Sequence, residues 1–230
     1  MHADDRLSRA ADLYARALFF DDADALAEAE PVLASVDADL CVAQGRLLHA
    51  RFLLARAHDP ERAVEHPDEL ALFERARDRA AEAGDTRTEA EALFWIGCCL
   101  QVVRRDHDAA VPVLEASLER ATVVGDHPTM AEALRHLGVA AHAAGRLDDA
   151  RRHLEASTEL RREADLPLGV ASNLVGLTYV AAADGRLDDA AGALGEAAAI
   201  AEALGASGLL RQVEEARQML HATEEAGHGA

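Results

Sequence analysis

Eleven histidines, three cysteines and forty-two carboxylates are the side chains of this 230-residue chain that could hold a metal or move a proton. Their spacing limits what they can do. Histidines four apart on one helix share a metal easily, but His136 and His142 are six apart and diverge, and His153 falls on a separate predicted helix. Neighbouring side chains on a helix point about 100° apart, so Cys98 and Cys99 cannot both face one ion, and packing as small hydrophobes accounts for them. The carboxylate pairs Asp21-Asp22, Asp148-Asp149 and Asp188-Asp189 sit at predicted helix starts, where negative charge is favoured without any catalysis. Gly-x-Gly-x-x-Gly, the phosphate loop, Gly-x-Ser-x-Gly and His-Glu-x-x-His are all absent from the sequence. All 23 basic residues are arginine, which excludes a Schiff-base lysine and a phosphate-loop lysine. The expectation is a protein without a catalytic residue, a metal or a cofactor.

Elements must still position what remains. Half of the residues are apolar but only 3% are aromatic, and Ala, Leu, Arg, Asp and Glu dominate. That mixture favours helices and suits strands poorly. The net charge of −19 opposes nucleic acid and anionic membrane surfaces; it suits a basic partner and also serves plain solubility. Three cysteines, Cys41, Cys98 and Cys99, are an odd number without framework spacing, as expected in a reducing compartment. The first residues lack a signal-peptide pattern and no apolar run reaches membrane length, so the expected location is cytoplasmic.

The organising signal is a repeat. Gly-Arg-Leu-Asp-Asp-Ala occupies 145–150 and recurs unchanged at 185–190, and 105–110 is a degraded copy. Leu114-Glu115-Ala116-Ser117 matches Leu154-Glu155-Ala156-Ser157, and Phe73-Glu74-Arg75-Ala76 falls 41 residues before it. Within one copy, Leu134, Leu137, Ala141 and Ala144, then Leu147, Ala150, Leu154, Ser157 and Leu160, mark two helices at intervals of three and four. Gly145 is placed to end the first in a left-handed conformation, and Pro128 and Pro167 to open first helices. Gly138, Ala150 and Ser157 are the small residues where paired helices must meet. The spacing predicts helices near 5–20, 22–36, 39–57, 67–83, 86–104, 108–124, 128–144, 147–164, 167–184, 187–204 and 207–222. Pro31 should kink the second or mark a later start, and 58–66 should be a loop. Residues 1–222 read as one repeat domain, with copies clearest at 86–126, 127–166 and 167–206, and 223–230 as a disordered tail.

Leu134, Leu137-Gly138, Ala141, Gly145, Leu147, Ala150, Leu154 and Ser157 fall at the spaced positions of a tetratricopeptide repeat, which this segment resembles. Leu174, Leu177, Gly185, Leu187, Ala190, Leu194 and Ala197 follow the same pattern. The period of 40 resembles the longer repeats of actinobacterial transcriptional regulators. The resemblance implies an all-α fold, a right-handed superhelical α-solenoid of helical hairpins with a C-terminal capping helix. It also implies that first helices line a concave groove. Projected onto this chain, the groove receives Glu91, Phe94, Trp95, Cys98 and Gln101, then Glu132, Arg135, His136, Val139 and His142, then Ser172, Val175, Gly176 and Tyr179, with Asn173 near its edge. Of these, Glu91, Trp95, Glu132, Arg135, His136, His142, Asn173 and Tyr179 are the candidate binding residues, although Trp95 and Phe94 would serve equally as packing between hairpins. Asn173 is displaced from the carboxylate-clamp position of the family and lysine is missing, which speaks against a clamp for an acidic C-terminal peptide. The expected function is a protein- or peptide-binding scaffold, regulatory in setting. A small-molecule sensor or enzyme with a pocket in the same concavity is the alternative, and a homodimer through exposed end hairpins is a further option.

Overall fold

A computed structural model describes residues 5–228, and among them every regular element is a helix. The chain divides into two compact units, one ending at Asp126 and the other beginning at His127.

The first unit contains α1 (Asp5–Phe19), α2 (Asp24–His58), α3 (Pro67–Ala83), α4 (Thr86–Cys98) and α5 (His107–Val124). Helix α2 pairs with α3 and α4 with α5, while α1 packs on α2 and α3 bridges to α4. The expected break between 36 and 39 does not exist: α2 is one helix of 35 residues. Pro31 lies inside it, near its start, where the missing N–H removes a single bond. Beyond it, Ala34, Ala38, Cys41, Val42, Gly45, His49 and Phe52 are buried in succession. An uninterrupted buried face holds the helix together through the point where local signals suggested an end. The loop expected at 58–66 contains one 3₁₀ turn, Pro60–Arg62. Helix α4 ends earlier than expected, in a π-helical turn at Cys99–Val103, before the Asp106 side chain caps α5 by accepting from Ala109 N–H at 2.9 Å.

The second unit contains α6 (His127–Ala143), α7 (Leu147–Glu163), α8 (Pro167–Ala183), α9 (Leu187–Ala203) and α10 (Ser207–His228). Here α6 pairs with α7 and α8 with α9, α7 bridges to α8, and α10 covers α8 and α9. Helix α10 runs beyond the expected end at 222 to His228, and 229–230 lie outside the described residues. Gly145 adopts φ 74°, the left-handed conformation its place predicted, and the Arg146 N–H closes onto the Ala141 carbonyl at 2.9 Å. Asp148 and Asp149 lie in the first turn of α7 and face Arg151 and Arg152, one turn on, rather than capping it.

The four hairpins share one register. Second helices bury Phe73, Leu114, Leu154 and Leu194 at the centre, followed three residues on by Ala76, Ser117, Ser157 and Ala197. Opposite them the first helices place Gly45, Gly97, Gly138 and Thr178, so the large residue of one helix enters the space the small residue leaves. This interlock fixes which face of each first helix turns outward.

Candidate partner surface and a buried polar cluster

In the first unit, Trp95 is half-buried, stacked on Phe73 at 5.5 Å and 11° and meeting the rings of Phe94 and His49 edge-on. The Arg46 guanidinium lies 5.6 Å above the indole, and Glu91 accepts from the indole N–H at 3.4 Å while approaching Arg46 at 3.5 Å. Trp95 therefore joins α4 to α2 and α3 and keeps one edge near solvent. Phe94, Cys98 and Gln101 are buried within the hairpin packing.

In the second unit, α6 and α8 place Glu132, Arg135, His136, His142 and Tyr179 half-buried. Glu132 is held by Arg161 of α7 at 2.8 Å, and Arg161 also donates to the Gly169 carbonyl at 3.0 Å. Arg135 reaches from α6 to α8, donating to the Ser172 carbonyl at 3.4 Å. Burial holds His142 below the ordinary histidine range, so it is neutral near pH 7. Burial and then the charge of Glu215 raise the Tyr179 phenol, which keeps it a hydrogen-bond donor. Asn173 is placed differently from its expected edge position: it is fully buried and donates to Ser157 Oγ at 2.8 Å, whose hydroxyl donates to the Ala131 carbonyl at 2.6 Å. It ties α8 to α7 and offers nothing to a partner. A cavity of about 240 Å³ in this unit is lined by Arg161, Arg162, Leu166, Pro167, Glu196 and Ile200 among others, and neither His136 nor His142 borders it.

Cys98 and Cys99 belong to a third group, together with His49 and Glu69, which no spacing in the sequence brings to them. His49 Nδ1 lies 2.8 Å from Glu69 Oε1, Cys99 Sγ donates to the same oxygen at 3.1 Å, and Cys98 Sγ lies 3.6 Å from His49 Nε2. All four residues are buried, and Glu69 Oε2 has no hydrogen-bond partner. Burial, then Glu69, pushes the Cys99 thiol far up, so it stays protonated. His49, Glu69 and Cys99 offer nitrogen, oxygen and sulfur within 4.8 Å of one another, the donor set of a divalent ion such as zinc. Hydrogen bonds already engage both thiols and the imidazole, while the second Glu69 oxygen is left over. A signal was present in the sequence: Glu69 holds the register position of Ala110, Ala150 and Ala190, and a carboxylate where three sister hairpins bury alanine is anomalous.

Residues 88–163 match the tetratricopeptide repeat family. The fold is similar to the crystal structure of a Podosopora anserina protein described as a kinesin light chain with nearly identical TPR-like repeats. The two share 17% identity over 79% of this chain and 92% of that one, with a TM-score of 0.51. A variant of that protein aligns at 16% identity over 81% of this chain and 98% of that one, with a TM-score of 0.50. No curated protein matches the chain. The fold is thus that of a stack of TPR-like hairpins, and the segment 88–163 is similar to the tetratricopeptide repeat. Among the described residues no helix is long and apolar enough to cross a membrane.

Proposed function

We propose that the protein is a scaffold that binds a protein or peptide through the outward faces of α6 and α8, in a regulatory setting. The observation that carries this reading is the group on α6 and α8. Arg135, His136, His142 and Tyr179 stand half-exposed over a register of small and aliphatic residues that does the packing. A rigid floor under a few polar and aromatic side chains is how contact surfaces obtain affinity at low entropic cost. Glu132 belongs to the same face, fixed by Arg161. In the first unit Trp95 and Glu91 offer a smaller platform with Arg46. The net charge of −19 favours a basic partner. The regulatory setting rests on the likeness of the 40-residue period to the repeats of actinobacterial regulators, and a cytoplasmic location on three cysteines that form no disulfide among the described residues.

The test is affinity capture from native cell extract with the wild type and an Arg135→Ala, Tyr179→Ala double variant, helix content being checked by circular dichroism. A partner held by the wild type and lost by the folded double variant supports the surface. Equal retention by both removes it.

A further inference from the structure

Helix α2 carries leucine at positions 26, 33, 40, 47 and 54, an unbroken interval of seven over five repeats. All five are exposed: Leu26 54%, Leu33 47%, Leu40 54%, Leu47 63% and Leu54 64%. They lie opposite the face that α2 buries through Ala38, Cys41, Val42, Gly45, His49 and Phe52. Three residues after each leucine stands a small or β-branched residue, Ala29, Val36, Ala43, Ala50 and Ala57. The exposed face is therefore a continuous a/d seam with leucine at a and chiefly alanine at d, about 42 Å long from Leu26 to Leu54 at 1.5 Å per residue.

Among the described residues no side chain covers these five leucines, whereas a repeat array normally presents a polar outer surface to stay soluble. An interval of seven drifts around a straight helix by about 20° per repeat, and stays on one line only when two helices coil about each other. Leucine facing leucine at every a layer would leave the alanine layers under-filled. Running the second helix antiparallel sets the large residue of each layer against the small one of the other helix, Leu26 against Ala57, Leu33 against Ala50 and Leu40 against Ala43.

The flanking charges have the same sense. The first half of α2 exposes Glu28, Glu30 and Asp39, and the second half exposes Arg46 and Arg51. Among the described residues neither Glu30 nor Arg51 makes an ion pair. An antiparallel register places Glu30 of each copy beside Arg51 of the other, twice over by two-fold symmetry, while Asp39 and Arg46 are already held by Arg6 and Glu91 of their own unit. A parallel pair would set like charges together along its whole length. Leu7, Tyr14 and Leu18 of α1, the helix that packs on α2, are exposed as well.

We infer that α2 is the interface of a homodimer, in which two copies of the chain join by an antiparallel coiled coil along the Leu26–Leu54 face. This is a contact separate from the partner surface on α6 and α8, and it stands or falls independently of it.

The test is sedimentation equilibrium of the full chain at micromolar concentration. The wild type is expected to be dimeric. A Leu33→Glu, Leu47→Glu variant, altered only at exposed positions, should be monomeric with unchanged helix content. Because a charge at a seam position could also disturb folding, a charge exchange gives the second readout. Glu30→Arg should weaken the dimer about tenfold, and Glu30→Arg with Arg51→Glu should restore it, as electrostatic pairing across an interface requires. A wild type that is monomeric, a dimer untouched by the leucine substitutions, or a double exchange that fails to restore association would each overturn the proposal.

Discussion

A Cβ built on Gly97 would lie 2.6 Å from Cδ2 of Leu114, a side chain with no exposed surface. The same relation joins Gly45 to Phe73 and Gly138 to Leu154. It is the contact around which each hairpin closes, and only the last hairpin admits a side chain there, Thr178, whose hydroxyl is turned to the Leu174 carbonyl at 2.9 Å.

Gly97→Ala is therefore expected to lower stability by about 1–3 kcal/mol, because Leu114 has no space into which to retreat. Gly138→Ala should behave alike, since the added carbon would also lie 3.2 Å from the Ala150 carbonyl. Urea unfolding measures both. Gly192→Ala, in open space on α9, is the matched control and should cost nothing.

The bond from Asn173 to Ser157 is buried at both ends, so its loss strands a polar group. Ser157→Ala should cost about 1–3 kcal/mol, because Asn173 loses its acceptor and the Ala131 carbonyl a donor. A double-mutant cycle with Asn173→Ala should show a coupling of about 1 kcal/mol. A purely additive pair would mean that the bond contributes nothing.

His49→Ala would leave the Glu69 carboxyl with one thiol as its remaining partner in a fully buried position. A loss of about 3 kcal/mol is expected. Adding Glu69→Ala should return part of it, because alanine is what Ala110, Ala150 and Ala190 place at this point of the other hairpins. The outcome that would contradict this is a double variant less stable than His49→Ala alone.

Cys41, Cys98 and Cys99 are buried and unpaired by disulfide, so the native protein should react slowly with a thiol reagent and the unfolded protein fully. Burial raises the Cys99 thiol above its ordinary value of 9.0, so the folded state holds that proton more tightly than the unfolded chain does. The stability this proton confers is complete below pH 9 and declines as the pH climbs past it. His142 acts at the other end of the scale. Its lowered value means that the unfolded chain takes up a proton first, and stability should fall as the pH drops below 6.5. Unfolding midpoints measured from pH 5 to 10 check both directions.

The repeat, its two helices and their interlocking faces were legible in the sequence because each depends on residues three, four or forty apart, and periodicity survives in one dimension. Gly138, Ala150, Leu154 and Ser157 meet as their spacing requires. Elsewhere the deciding contacts join residues far apart in the chain. Whether Asn173 faces a partner or Ser157 depends on how deeply α8 sits against α7, and no local pattern encodes that depth. Helix α2 starts before Pro31 and runs unbroken through 36–39, because burial along the helix outweighs one missing hydrogen bond. His49 and Glu69 are twenty residues apart and meet Cys99 thirty further on. Spacing of three and four settled the helices of the repeat copies and their apolar faces; three-dimensional packing decided that α2 is one helix, which polar groups lost their water and which leucines kept theirs. The physical reason is that desolvation is a property of the whole surroundings of an atom, and the surroundings exist only once the helices have docked.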